Sequence, residues 1–252
     1  MNVLAVFNLK GGVGKTATAV NLAWLSAQEG ARTLLWDLDP QGAAGFYFRV
    51  QPPAKGNVRR LVERKEDLQS FIRGTDFPHL DLLPSDFTYR NLDLALDEAR
   101  KPTRRLAKLI KPLADQYDRV FFDCPPGFSL LSENIFLAAH LLLVPVIPTT
   151  LSLRTLGQIR TWLDTHSPGE AQLLPFFSMV DRRKALHRTL CTEHAGEVFT
   201  PYAIPFSSAV EKMGLKRAPL LSYDRHSPAA LAYQGLWDAV KEREAARNPK
   251  GV

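Results

Sequence analysis

The chain has 252 residues, 45% of them hydrophobic and 23% charged, a balance that fits a folded water-compatible α/β domain and excludes a low-complexity or disordered chain. Two cysteines, Cys124 and Cys191, exclude a disulfide framework and a CxxC metal pair, and no apolar run nears the ~20 residues that cross a bilayer. A formal net charge of +6 and an isoelectric point near 9.4 favour polyanionic partners.

Val3 to Phe7 is a short apolar strand without the basic start of a secretory segment. It leads into Asn8 to Thr16, Asn-Leu-Lys-Gly-Gly-Val-Gly-Lys-Thr. A helix follows, with Val20, Ala23, Trp24 and Ala27 on one face and Gly30 at its close. Strand, glycine loop and helix form the context of a phosphate-binding loop. Gly11, Gly12 and Gly14, with Val13, let backbone N–H groups converge on an anion, and the helix N-terminus adds partial positive charge. Lys15 would reach the β- and γ-phosphates and the Thr16 hydroxyl would ligate Mg²⁺. The bland alternative is a tight strand-to-helix turn.

Thr33 to Leu38 is the next strand, with Leu35, Asp37 and Asp39 on one side and Pro40-Gln41-Gly42 after it. Two carboxylates there would face the crevice at the strand ends of an open α/β sheet, although Asp before Pro-x-Gly is also ordinary turn chemistry. Residues 50 to 75 are polar and basic, a loop with a short helix, and Leu80 to Leu83 is a strand ending at Pro84. A helix from about Thr103 turns Leu106, Leu109, Ile110 and Leu113 inward. Arg119 to Gly127 reads Arg-Val-Phe-Phe-Asp-Cys-Pro-Pro-Gly, a strand whose tip, Asp123, could hold Mg²⁺ directly or through water. Cys124 beside it reads as a buried small residue. Leu141 to Ile147 and Leu173 to Val180 are further strands, Thr150 to Leu163 a helix, and Pro228 opens a last helix to about Glu244. Alternating strands and helices predict a mostly parallel sheet covered on both faces, one domain over 1–246 with a frayed tail at 247–252.

The loop departs from the ordinary P-loop: Leu9 stands where the first glycine is expected, and Lys10 adds a second lysine. Two ammonium groups beside a helix N-terminus repel unless a polyanion lies between them. Lys10 with Gly11 to Thr16 resembles the deviant Walker A loop of the ParA/MinD family of P-loop ATPases. Asp-Leu-Asp-Pro-Gln-Gly at 37–42 and Asp-Cys-Pro-Pro at 123–126 are similar to the family's next motifs. Val144 to Pro148, Ser178 to Arg183, Ala203-Ile204-Pro205 and Tyr223 to Ser227 continue the likeness, which runs from residue 3 to about 240. The resemblance implies an ATP-sandwich homodimer with Mg²⁺, in which Lys10 crosses to the partner's nucleotide. It also implies that Asp39 orients the attacking water, that Asp37 sits near the Mg²⁺ water shell, and that Pro205 helps hold the adenine. Ala17 departs from the family, which has a second Thr there, and costs a side-chain contact to phosphate while the backbone cradle remains.

The same resemblance implies non-specific DNA binding through the C-terminal region, for which Arg183, Lys184, Lys212, Lys216 and Arg217 are the candidates. Relatives often carry arginine after the Ile-Pro turn, where this chain has Phe206-Ser207-Ser208-Ala209. The basic run Arg100, Lys101, Arg104, Arg105, Lys108 and Lys111 reads as a solvated helix face. The stimulating partner would be a ParB-like or adaptor protein, and the location cytoplasmic and nucleoid-associated. A MinD-like membrane role is disfavoured because the C-terminal stretch from Lys241 lacks an apolar face. Two other classes stay open: a metabolic ATP-dependent synthetase or ligase on the same nucleotide fold, and a scaffold that binds ATP without much hydrolysis.

Overall fold

The computed structural model describes residues 1–53, 58–63, 65–99, 102–166, 171–194, 196 and 198–247. Seven strands make one sheet: β1 Asn2–Val6, β2 Thr33–Asp37, β3 Arg73–Gly74, β4 Leu80–Leu83, β5 Arg119–Asp123, β6 Leu141–Val146 and β7 Gln172–Phe177. Their order across the sheet is β3-β4-β2-β5-β1-β6-β7, and all pairs are parallel except β3 with β4. The helices are α1 Lys15–Gln28, α2 Ala43–Phe48, α3 Val58–Val62, α4 Leu92–Asp97, α5 Arg105–Ile110, α6 Leu130–Ala138, α7 Thr150–His166, α8 Ala185–Glu193, α9 Ser208–Lys216, α10 Leu220–Tyr223 and α11 Pro228–Arg247.

The strands are apolar on both sides because both sides are covered, as a parallel sheet requires. Val3, Ala5, Leu34, Trp36, Val120, Phe122, Leu142 and Val144 face a core built with α3 to α7. Leu4, Val6, Leu35, Phe121, Leu141 and Leu143 face a second core built with α1, α2, α10 and α11. The period of two then settles where the acids go. Asp37 and Asp123 fall on the α1 side of their strands and are register partners across β2 and β5.

The one-sided pattern expected for the first helix is corrected by the structure. Every residue of α1 from Thr18 to Ala27 is buried, because the helix lies between the sheet and α11. Its polar side chains are satisfied inside: Leu220 N donates to Asn21 Oδ1 at 2.8 Å, and Ser26 and Thr33 share a hydrogen bond of 2.7 Å. The strand expected over Leu173 to Val180 stops at Phe177, since Met179 takes a left-handed φ of 54°. Val180 instead bridges Pro205, and segment 200–206 runs along the outer side of β7 through Thr200 N to Pro175 O and Ile204 N to Phe177 O. The helix expected from Thr103 is split by Lys111-Pro112 into α5 and a 3-10 turn, with Leu106, Leu109, Ile110 and Leu113 all buried. Arg247 ends α11; the rest of the expected frayed tail lies outside the described residues.

Candidate nucleotide site at the strand ends

The glycine loop leaves β1 between β5 and β6 and is anchored from both sides. Asn8, fully buried, donates to Pro145 O at 2.7 Å and accepts from Lys10 N at 2.9 Å. Ser178 Oγ donates to Val13 O at 2.9 Å. Gly12 and Gly14 take φ of 70° and 91°, which L side chains rarely adopt. A Cβ on Gly14 would come 3.1 Å from Ser178 Oγ, whereas above Gly11 and Gly12 there is open space within 4 Å. The loop is thus tight beneath and open above, toward a cleft of about 600 Å³ walled by Gly11, Gly12, Lys15, Thr16, Asp39 and Pro125 among others.

Lys15 begins α1 with its ammonium on Lys10 O at 3.0 Å; burial lowers its pKa, opposed first by the charge of Asp123. Asp123 is fully buried at the tip of β5, and neither carboxylate oxygen has a hydrogen-bond partner. Burial drives its pKa well up and Asp37 adds to the push, while the Thr16 hydroxyl and Lys15 pull it back. Asp37 differs from Asp123 although it is as deeply buried. Its oxygens accept from Asp39 N at 3.1 Å and Ala44 N at 3.0 Å, so this carboxylate holds the turn from β2 into α2. Asp39 stands at the cleft wall, with Oδ1 accepting from Gln41 N at 3.0 Å and its carbonyl held by the Ser85 hydroxyl.

A second cleft of about 240 Å³ adjoins the first and is walled by Ser178, Met179, Pro205, Phe206 and Val210 together with Gly12, Gly14, Ala17 and Tyr47. Pro205 thus lines a cleft together with glycines of the loop. Lys10 reaches sideways, its ammonium 3.3 Å from Ser152 Oγ near the start of α7. Sequence reasoning placed Ser178 only within a family-like stretch and gave no role to Ser152 or Tyr47; the two serines reach the loop from distant parts of the chain, and Tyr47 lines the clefts beside it.

The basic candidates separate by what they touch. Arg183 binds Asp181 through its backbone N and through Nε and Nη2, and holds the Asp181 carboxyl at about 2. Arg217 donates to Phe46 O at 3.2 Å and lies over the Phe46 ring. Lys184, Lys212 and Lys216 are exposed. In the run at 100–111, Arg105 Nε is tied to Val62 O, and Arg100 and Lys101 lie outside the described residues.

A family model described as an AAA domain matches residues 1–168. A chromosome partitioning protein ParA of Myxococcus xanthus is 29% identical over 262 residues, 98% of this chain and 90% of its own length. The chain belongs to the ParA/MinD family of P-loop ATPases. Cobyrinic acid a,c-diamide synthase from Mycobacterium smegmatis, solved with bound ADP and magnesium, is 26% identical and superposes with a TM-score of 0.78, covering 97% of this chain and 95% of that one. A putative plasmid partition protein from Borrelia burgdorferi B31, solved with AMPPNP, shares the fold at 20% identity and a TM-score of 0.82, over 96% and 99% of the two chains. The ParA/MinD fold, a mostly parallel sheet with helices on both faces, is therefore the fold of this chain, and its family is one of nucleotide-hydrolysing partition ATPases. Among the described residues no helix is long and apolar enough to cross a membrane. The apolar face of α11 is occupied in the core, where Tyr233, Leu236, Trp237 and Val240 are buried.

Proposed function

We propose that this chain is a ParA-like ATPase whose ATP-bound homodimer binds DNA non-specifically and lets go when a ParB-like or adaptor protein stimulates hydrolysis. Such a cycle would serve partition of a plasmid or chromosome, or positioning of another cargo. The observation that carries it is the orphaned Asp123 carboxylate, buried beside Lys15 and Thr16 at the mouth of a glycine loop that is open above. A buried anion without donors is costly unless a cation completes it. Mg²⁺ takes one or two carboxylates together with substrate phosphate, which Asp123 beside Thr16 could supply.

The residues fit Mg²⁺-ATP as follows. Amides of Gly11, Gly12, Val13 and Gly14, with Lys15, cradle the phosphates, Ala17 lines the site, and Pro205 borders the base. Thr16 and Asp123 would hold Mg²⁺, with Asp37 behind them setting the turn; the ion would offset charge on the phosphates. Asp39 orients the attacking water from the cleft wall. Lys10 has one hydrogen bond to its own Ser152 to give up before it reaches a partner's nucleotide. The test is binding to a non-specific duplex with ATP, ADP or no nucleotide at two salt concentrations. ATP-dependent binding that weakens steeply with salt supports the reading; binding in no nucleotide state overturns its DNA part.

The M. smegmatis synthase neighbour favours one second reading, an ATP-dependent synthetase on the same fold. ATP turnover that rises with a carboxylated corrinoid and a nitrogen donor, and ignores DNA, would select it.

A further inference from the structure

Four residues wall both clefts: Gly12, Gly14, Ala17 and Tyr47. Three of them carry no functional group on the side chain, so at the junction of the clefts Tyr47 alone offers one. Its ring is half-buried on α2, and α2 is pinned at both ends. At the start, Ala44 N is held by Asp37; at the end, Arg49 binds Asp76 and donates to Arg217 O at 3.1 Å. Between them Gly45 runs so near Val50 O that an added Cβ would stand 3.0 Å from it. The phenol is therefore held in place by the fold.

No hydrogen bond within the described residues uses the Tyr47 hydroxyl, whereas Tyr223 and Tyr117 donate to Ala209 O and Asp81. Burial, and then the charge of Asp123, raise the Tyr47 pKa, so the group stays a protonated donor at neutral pH. Tyr233 lines the second cleft with Tyr47, and Asp39 and Thr16 line the first cleft with it.

We propose that Tyr47 is a nucleotide-binding residue, its hydroxyl donating to an oxygen where the nucleoside joins its phosphates and so supplying a contact that Ala17 cannot make. This rests on the nucleotide reading of the site given above. An ATP molecule with phosphates over the glycine loop and base near Pro205 must pass this junction. A hydroxyl with no protein partner then gains a charged acceptor, and its loss is expected to weaken binding roughly tenfold or more.

The test is calorimetric titration of the full chain with Mg²⁺-ATP for the parent, Tyr47→Phe, Ala17→Thr and the double variant, with Lys15→Ala alongside. Tyr47→Phe should melt like the parent without nucleotide, because the hydroxyl has no protein partner, yet bind ATP about tenfold more weakly. Ala17→Thr places a hydroxyl at the same junction, so its gain in affinity should be several-fold larger in the Tyr47→Phe background than in the parent. Equal ATP affinity of Tyr47→Phe and parent, or equal effects of Ala17→Thr in both backgrounds, overturns the proposal. Lys15→Ala that binds ATP like the parent overturns the nucleotide reading itself, a failure distinct from that of Tyr47.

Discussion

Asp123 is the residue at which stability and chemistry oppose each other. Both its oxygens are buried with no close hydrogen bond, only the pull of the nearby Thr16 hydroxyl, a cost that a bound cation would offset. Asp123→Asn keeps the shape and removes the charge. Without nucleotide the variant is expected to gain on the order of 1 kcal/mol, about 2–4 °C in melting temperature for a chain of this size, while losing ATP hydrolysis. A lower melting temperature would mean the carboxylate is satisfied after all. His140 carries a separate prediction. It accepts from Val3 N at 3.1 Å, and burial, then Arg247 and the N-terminus, push its pKa down to about 4. The folded state keeps this ring neutral while the unfolded chain takes a proton near 6.5. Its contribution is therefore intact above about 6.5 and lost as pH falls toward 4. Urea midpoints at pH 7 and pH 5 should differ more for the parent than for His140→Gln. The residues of the three motifs were legible because each motif is contiguous. The loop contacts of Ser178 and Ser152 were not, since what brings these residues to the loop is the sheet order; Ser178 reaches Val13 across 165 positions.

At the scale of elements, α1 shows how far a periodic pattern reaches. Val20, Ala23, Trp24 and Ala27 are buried as expected, but so are Leu22 and Leu25 on the other side. The apolar stripe was real and incomplete, because small and polar residues such as Ser26 and Asn21 hid a second buried face. Leu22→Ala tests it: a solvent-facing leucine would cost little, whereas this one is expected to cost about 2–5 kcal/mol in urea denaturation. The strands β1, β2, β4, β5 and β6 were legible to within a residue or two as short apolar runs. The helices α2, α4, α8 and α9 were not, being 6 to 9 residues long and held by tertiary contacts rather than by propensity. Asn134 shows the mechanism. Its Oδ1 accepts from Arg105 N and Leu106 N, so the amides that open α5 are capped by a side chain on α6. No local reading of residues 102 to 110 contains that cap.

At the scale of the molecule, the charge of +6 is shared among groups with different tasks. Arg183 stays exposed but is paired with Asp181, and Arg217 is engaged with Phe46, so Lys184, Lys212 and Lys216 are the exposed lysines among the residues that the DNA reading named. Lys212→Glu with Lys216→Glu is expected to weaken binding to a non-specific duplex at least tenfold in the ATP state and to flatten its salt dependence. ATP affinity of the same variant is the control, and unchanged DNA affinity would move the interface elsewhere.

The margins of the sheet bear on how copies of the chain could meet. One edge is β3, two residues long and antiparallel to its neighbour. The other, β7, is lined by the 200–206 segment. A sheet grows into a fibre by offering a long bare strand to the next molecule, and neither margin does so. Growth by strand addition is therefore disfavoured, and the ATP-bound homodimer proposed above would be joined through other surfaces. If that homodimer forms over the cleft, its contacts would come and go with the nucleotide, giving a closed, dissolvable complex in place of an indefinite polymer.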